Sequence, residues 1–332
     1  MFFVPGRSYS GQLPQLTAIE QELSGKLSTH VWMLGSDIGP RSLTSAPENL
    51  EKAALYLEQI LRSYGHAVST QEFDVEVFTS RNPQITGSGI GFASAHCKTR
   101  NVIAEISGSR KPEEIVVVGA HYDSVYDCPA ANDNGSGVAA LLAIAQLFAQ
   151  AKCERTLRFV AFTNEEPPFF DTEDMGSRRY ARSCHQRGDR IVAMLCLETL
   201  GYYTDKPDSQ KLPHPIFKLV CPTTGNFLAF ITNLKGRPLL KQCVGAFRQA
   251  VKFPSEALAL PEQITGVSFS DHSAFWRCGY PALMVTDTAF YRYPHYHEAG
   301  DTPDKIDFDV MARAVHGLSA VVADLCGAVL PL

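Results

Sequence analysis

Two adjacent glutamates, Glu165 and Glu166, close the apolar run Leu157-Arg158-Phe159-Val160-Ala161-Phe162-Thr163-Asn164. A run of this length and character reads as a buried strand. Carboxylates at the end of a buried strand are costly unless something positive holds them there. Two other apolar runs end in a similar way. His121 and Asp123 follow Ile115–Ala120, and Glu198 follows Ile191–Leu197. Such strands, separated by helical segments, form a mostly parallel sheet covered on both faces. Ligands of such sheets gather beyond the carboxyl ends of the strands. The expected fold is therefore α/β: three layers, a mostly parallel mixed sheet with helices on both faces, in a single domain over 1–332. An N-terminal helical segment over about 10–65 packs on it.

The coarse pattern supports this. Residues 16–35 read as a polar helix, and Pro47 opens a stronger one over 48–64 that Gly65 stops. Strands are expected at 67–78, 101–106, 115–120, 156–163, 191–197, 215–221 and 281–285. Helices are expected at 135–150, 175–184, 225–250 and 308–327. The Gly- and Ser-rich stretch 80–98 reads as a turn or loop.

Composition excludes some classes. Lys+Arg 30 against Asp+Glu 35 gives a net charge of -5, and no basic run is present, so nucleic acid is not expected as a partner. No apolar stretch reaches the ~20 residues that span a bilayer. The first residues carry no secretory pattern, so a cytoplasmic location is expected, with secretion as the alternative. The 9 cysteines form no CxxC pair, which argues for free thiols over a cysteine-type metal site.

The side chains at the strand ends are metal-ligand types. His nitrogen and carboxylate oxygen suit zinc, and a short carboxylate can bridge two ions. Asp133 lies in a Gly/Asn turn before a helix; alone it also reads as a helix N-cap. Glu165 and Glu166 alone could be a solvated strand end. Asp123, two residues after His121, could accept the ring N–H of a ligating His. No GxSxG is present, so a serine nucleophile motif is lacking.

The segments His121-Tyr122-Asp123-Ser124, Ala131 to Gly137, Asn164-Glu165-Glu166, Gly176 to Ala181, Leu197 to Gly201 and Tyr296 to Thr302 occur in one order and spacing. Together they resemble the zinc aminopeptidases of peptidase family M28, over roughly residues 100 to 305. The resemblance implies a zinc-dependent exopeptidase acting on peptides with a free N-terminus. It implies His121 and Glu198 on one zinc, Glu166 and His297 on the other, and Asp133 between them. Glu165 would be the general base, and Tyr296 would stabilise the oxyanion. Asp271, in Ser270 to Phe275, would be a neighbour of the site, with a helix cap as the alternative. His295 competes with His297, and the following Asp-Thr favours His297. The family more often has Asp where Glu198 stands, so one zinc is the alternative to two. Glutaminyl cyclases share the fold and similar ligands. Glutaminyl-peptide cyclotransfer with one zinc is thus the second expectation, and a non-catalytic binding protein on the same scaffold the third. Side-chain preference and oligomeric state are not legible.

Overall fold

The structure is a computed structural model that describes residues 5–80, 92–219 and 221–330. Eight strands form one mixed sheet in the order β1-β2-β4-β3-β5-β8-β6-β7. Its centre is parallel: β4 (Arg155–Phe162), β3 (Lys111–His121), β5 (Arg190–Glu198) and β8 (Ala282–Thr286). The hairpin β1 (Ala67–Ser80) and β2 (Phe92–Ile106) joins β4 antiparallel on one side. On the other, β6 (Leu228–Thr232) pairs antiparallel with β8 and parallel with β7 (Ser255–Ala259).

The central strands are apolar along their length because both faces are covered. Val116, Val118 and Ala120 of β3 join Leu157, Phe159 and Ala161 of β4 in the larger core. That core is closed by α1 (Ala18–Trp32), α2 (Pro47–Ser63), α3 (Gly137–Leu147), α5 (Arg237–Ala250) and α7 (Phe308–Cys326). The alternate residues Val117, Val160, Phe162 and Met194 face α4 (Gly176–Arg187) and α6 (His272–Arg277). The three-layer arrangement is the one expected. Among the described residues no helix is long and apolar enough to cross a membrane.

The differences from expectation cluster at the sheet margins. Pro215–Leu219 forms a 3-10 turn rather than a strand. The helix expected over 225–250 is strand β6 followed by α5. Pro238 explains the division: proline fits the first turn of a helix but not its interior. Strand β7 was not anticipated, because Ser-Glu-Ala-Leu-Ala contains no β-branched residue, and its order comes from pairing with β6. In the stretch 80–98, Ser80 and residues 92–98 belong to the β1–β2 ladder, which pairs them by main chain irrespective of side-chain preference. Residues 81–91 lie outside the described residues.

Two buried histidines make an acid-sensitive contribution to stability. His272 Nε2 lies 2.8 Å from the Val267 carbonyl, and burial pushes its imidazole down to about 4. His30, between Tyr56 and Tyr64, is pushed down to about 4 by burial and then by Lys26. An unfolded histidine titrates near 6.5. Below that pH the unfolded chain takes up protons that these two imidazoles refuse in the fold, so their contribution to stability falls as pH drops from about 6.5 to about 4 and levels off below. Measured by urea unfolding against metal-free His272→Gln, the metal-free wild type should lose stability as pH drops across this window. A difference between the two proteins that does not change with pH would refute the assignment.

Candidate metal centre

The parallel strands deliver their side chains to one rim. His121 is the last residue of β3 and Glu198 the last of β5. Glu165 and Glu166 follow β4 after Asn164, whose φ of 57° turns the chain at the strand end. Asp133 comes from the turn before α3, and His297 from the loop after β8. His297 itself has a φ of 60°, an uncommon conformation for a residue with a side chain. Gly137 is required beneath the Asp133 turn. A Cβ there would stand 2.4 Å from the Leu197 carbonyl and 2.2 Å from Asn134 Oδ1.

Asp133 stands between the two imidazoles. Its Oδ1 is 3.3 Å from His121 Nε2, and its Oδ2 is 3.1 Å from His297 Nε2. Glu198 Oε2 lies 3.5 Å from His121 Nε2, and Glu166 Oε2 lies 3.3 Å from His297 Nε2. Glu165 Oε2 is 3.8 Å from His121 Nε2. Two donor sets result, His121–Asp133–Glu198 and Asp133–Glu166–His297, each with ligand atoms within 4.8 Å of one another. A third, His121–Glu165–Glu166, overlaps them. His295 is in none of these sets; its ring packs against Tyr293.

The residues fit a metal ion. His121 Nδ1 and Nε2, Glu166 Oε1 and His297 Nε2 are buried and lack a hydrogen-bond partner. Buried polar atoms are seldom left so. Nitrogen and carboxylate oxygen in sets of three are what a zinc site with an open position uses.

The electrostatics describe the same surplus of negative charge. Glu166 is pushed up to about 7, by burial and then by Asp133. Glu165 and Glu198 are raised too, mainly by burial, with other carboxylates adding to it. Burial would raise Asp133, but both imidazoles hold it well below the usual range. Burial opposes protonation of His297, yet Asp133 and Glu166 raise it to about 10. A bound cation offsets this clustering of carboxylates.

Other side chains hold the ligands in place. Asp123 accepts the main-chain N–H of Glu165 (3.1 Å) and of Glu166 (3.0 Å), while its Oδ1 lies 3.4 Å from His121 Nδ1. It thus fixes β3 and β4 ends together, a role its spacing from His121 shows only in part. Ser270 donates to Glu198 Oε2 at 2.5 Å. Asp271 precedes α6 but makes no capping bond. The cap alternative fails: both its oxygens are buried without partners, and burial pushes it up to about 7. Tyr296 stacks on the His297 ring, centroids 3.9 Å apart.

Two positioning residues escaped the sequence reading. Asp301 accepts the N–H of Asn132 (2.8 Å) and Asp133 (3.0 Å) and the Tyr293 hydroxyl (2.8 Å). Arg41 is fully buried and donates to the carbonyls of Tyr122 (2.7 Å), Pro129 (2.6 Å), Ala130 (2.8 Å), Leu34 (3.1 Å) and Gly39 (3.2 Å). It joins the segment after α1 to the loops bearing His121 and Asp133. Asp301 follows Gly300 in the last motif, which was its only signal; Arg41 had none.

Comparison with known proteins places the chain. The profile of Peptidase family M28 matches residues 101–322. The uncharacterized protein YfbL of Escherichia coli (strain K12) is 33% identical over 287 residues, 82% of this chain and 87% of that one. A probable leucine aminopeptidase 1 of Trichophyton verrucosum is 29% identical over 239 residues, 68% of this chain; the match spans only 57% of that longer relative. The zinc aminopeptidase BSAP of Bacillus subtilis has a similar fold, with a TM-score of 0.68 at 17% identity, covering 94% of this chain and 96% of that one. A glutaminyl cyclase of Fimbriiglobus ruber gives 0.64 at 21%, covering 95% and 98%. The chain belongs to peptidase family M28, and its chemistry is that of a metallopeptidase.

Proposed function

We propose that the protein is a zinc-dependent aminopeptidase that releases N-terminal residues from peptides, with two zinc ions in the described donor sets. The observation that carries this reading is the Asp133 carboxylate lying 3.3 Å from His121 Nε2 and 3.1 Å from His297 Nε2. A carboxylate with one oxygen toward each imidazole suits a bridge between two ions. His121 and Glu198 would hold one ion, Glu166 and His297 the other. Bound zinc supplies Lewis acidity to the scissile carbonyl and lowers the pKa of water.

The chain's own groups do the rest. Glu165 takes the proton of the attacking water and passes it to the leaving amine. Asp123 holds the main-chain N–H of Glu165 and so aims its carboxylate. Tyr296, stacked on His297, donates its hydroxyl to the oxyanion. The free substrate amine sits between Glu165 and Glu198.

The test is metal analysis paired with a panel of aminoacyl amides. About two zinc per chain and amino-acid release support the reading; no release from any of them overturns it. His297→Ala should cut metal content, whereas His295→Ala should leave it unchanged. The reverse result would reassign the ligand.

A second reading is glutaminyl cyclisation with one zinc. It is favoured by Glu198, longer than the usual Asp and tied by Ser270 at 2.5 Å. Pyroglutamate formation from a glutaminyl peptide, with one zinc per chain, would select it.

A further inference from the structure

An apolar pocket opens from the metal centre along the sheet. Glu198 and Tyr296 of the candidate metal centre line it, and so does Glu256, three strands away. The cavity measures about 90 Å³, room for one side chain. Sheet register shows how the two glutamates relate. Glu198 pairs with Thr286, Thr286 with Ala229, and Ala229 with Glu256. Directly paired residues point to the same face, so these four form one row across the floor. Three strand spacings separate Glu198 from Glu256, about 14 Å. The residues between them, Thr286 and Ala229, are short and leave the row open. Ile231, Leu258 and Met284 pave the next level, while Val267 and Phe290 stand in the walls.

Glu256 is a carboxylate without an ion pair among the described residues. Arg248, the cation that acts on its charge, is engaged elsewhere. Arg248 donates to the carbonyls of Ser255 (2.7 Å), Gly6 (3.1 Å) and Pro5 (3.2 Å) and to Ser255 Oγ (3.0 Å). Lys211, a cation among the residues lining the pocket, is exposed. Burial raises Glu256, with Arg248 and the Ser8 hydroxyl offsetting part of it. A half-buried carboxylate at the end of an apolar slot complements a long alkyl stem with a cationic tip.

We propose that this pocket receives the first side chain of the substrate and that Glu256 selects arginine or lysine there. The inference rests on the aminopeptidase reading and names the substrate class of the same site. The methylenes of the stem cross Thr286 and Ala229 over the apolar floor. The guanidinium or ammonium reaches Glu256. Norleucine, with a similar stem and no charge, fills the slot but leaves the carboxylate unpaired.

The experiment compares arginyl, lysyl and norleucyl p-nitroanilides on the zinc-loaded enzyme. The basic substrates should have the higher kcat/KM. In Glu256→Gln the arginine-to-norleucine ratio should fall at least about 10-fold, because the variant keeps shape but loses the charge partner. Glu256→Leu should move the preference toward norleucine. A wild-type preference for norleucine, or a ratio unmoved by Glu256→Gln, overturns the proposal. A thermal-shift titration reads the pocket without turnover. Argininamide should stabilise the wild type more than norleucinamide does, and Glu256→Gln should lose that difference. Equal shifts in the wild type overturn the proposal. If no aminoacyl substrate is cleaved, the aminopeptidase reading fails, and the thermal shift still decides what the pocket holds.

Discussion

Glu165→Gln should lower kcat by about 10³-fold, within the range a positioned general base supplies, while zinc content stays at the wild-type level. Gln keeps the volume of Glu, and the main-chain N–H to Asp123 is untouched by the change. What disappears is the group that accepts the proton. Activity within tenfold of wild type would sink the base assignment. A loss of zinc would instead make Glu165 a ligand, an arrangement the His121–Glu165–Glu166 set makes worth checking. The metal-free proteins offer a second readout with a definite sign. Burial raises Glu165, and Glu166, Glu198 and Asp271 add to it, with His121 opposing. A carboxyl group raised in the fold costs stability progressively as pH climbs above its unfolded value, about 4.3. Metal-free Glu165→Gln should therefore be more resistant to urea than metal-free wild type at pH 8, and the two should converge near pH 4.

Arg41→Met should destabilise the protein by about 3–5 kcal/mol, because several buried carbonyls lose their donor at about 1–3 kcal/mol each. The guanidinium serves five main-chain carbonyls, which methionine cannot satisfy. Burial lowers its pKa, with Cys128, Asp301, Asp123 and Asp133 opposing. The carbonyls of Tyr122, Pro129 and Ala130 belong to the chain stretches that carry His121 and Asp133. Zinc affinity should fall along with stability. Arg41→Lys retains the charge but not the planar fork, and should recover only part of the loss. Urea unfolding with zinc titration measures both. A loss under about 1 kcal/mol would make the five contacts incidental.

The legible part of this protein was its central sheet. Strands β3, β4 and β5 announce themselves because both faces are buried, so nearly every residue must be apolar. A His or Glu that ends such a run has a bland reading when taken alone, a solvated strand end, and loses it only when several runs end alike. The margins were less legible for the same reason. Strands β6 and β7 are five residues each, and β7 carries a glutamate and no β-branched side chain. Their order comes from pairing, β6 with β8 and β7 with β6, which no local pattern encodes. The 3-10 turn Pro215–Leu219 has no buried residue to set a period.

The strand-end and turn ligands could be named because metal chemistry restricts residue type and such places mark themselves; His297, and the pairing of the ligands, came from the resemblance of the motifs. The supporting residues could not. Asp301 and Arg41 act on main-chain atoms, which are alike at every position, so composition and spacing carry no trace of the partner. Glu256 is the sharpest case. In the chain it is one glutamate among many, 58 residues after Glu198 by number. Only the register through β8 and β6 sets both on one row and one face. Local chemistry thus determined which residues suit a cation and which runs must be covered. Long-range pairing decided which of them meet, because hydrogen-bonded register, unlike periodicity, exists only once the strands lie side by side.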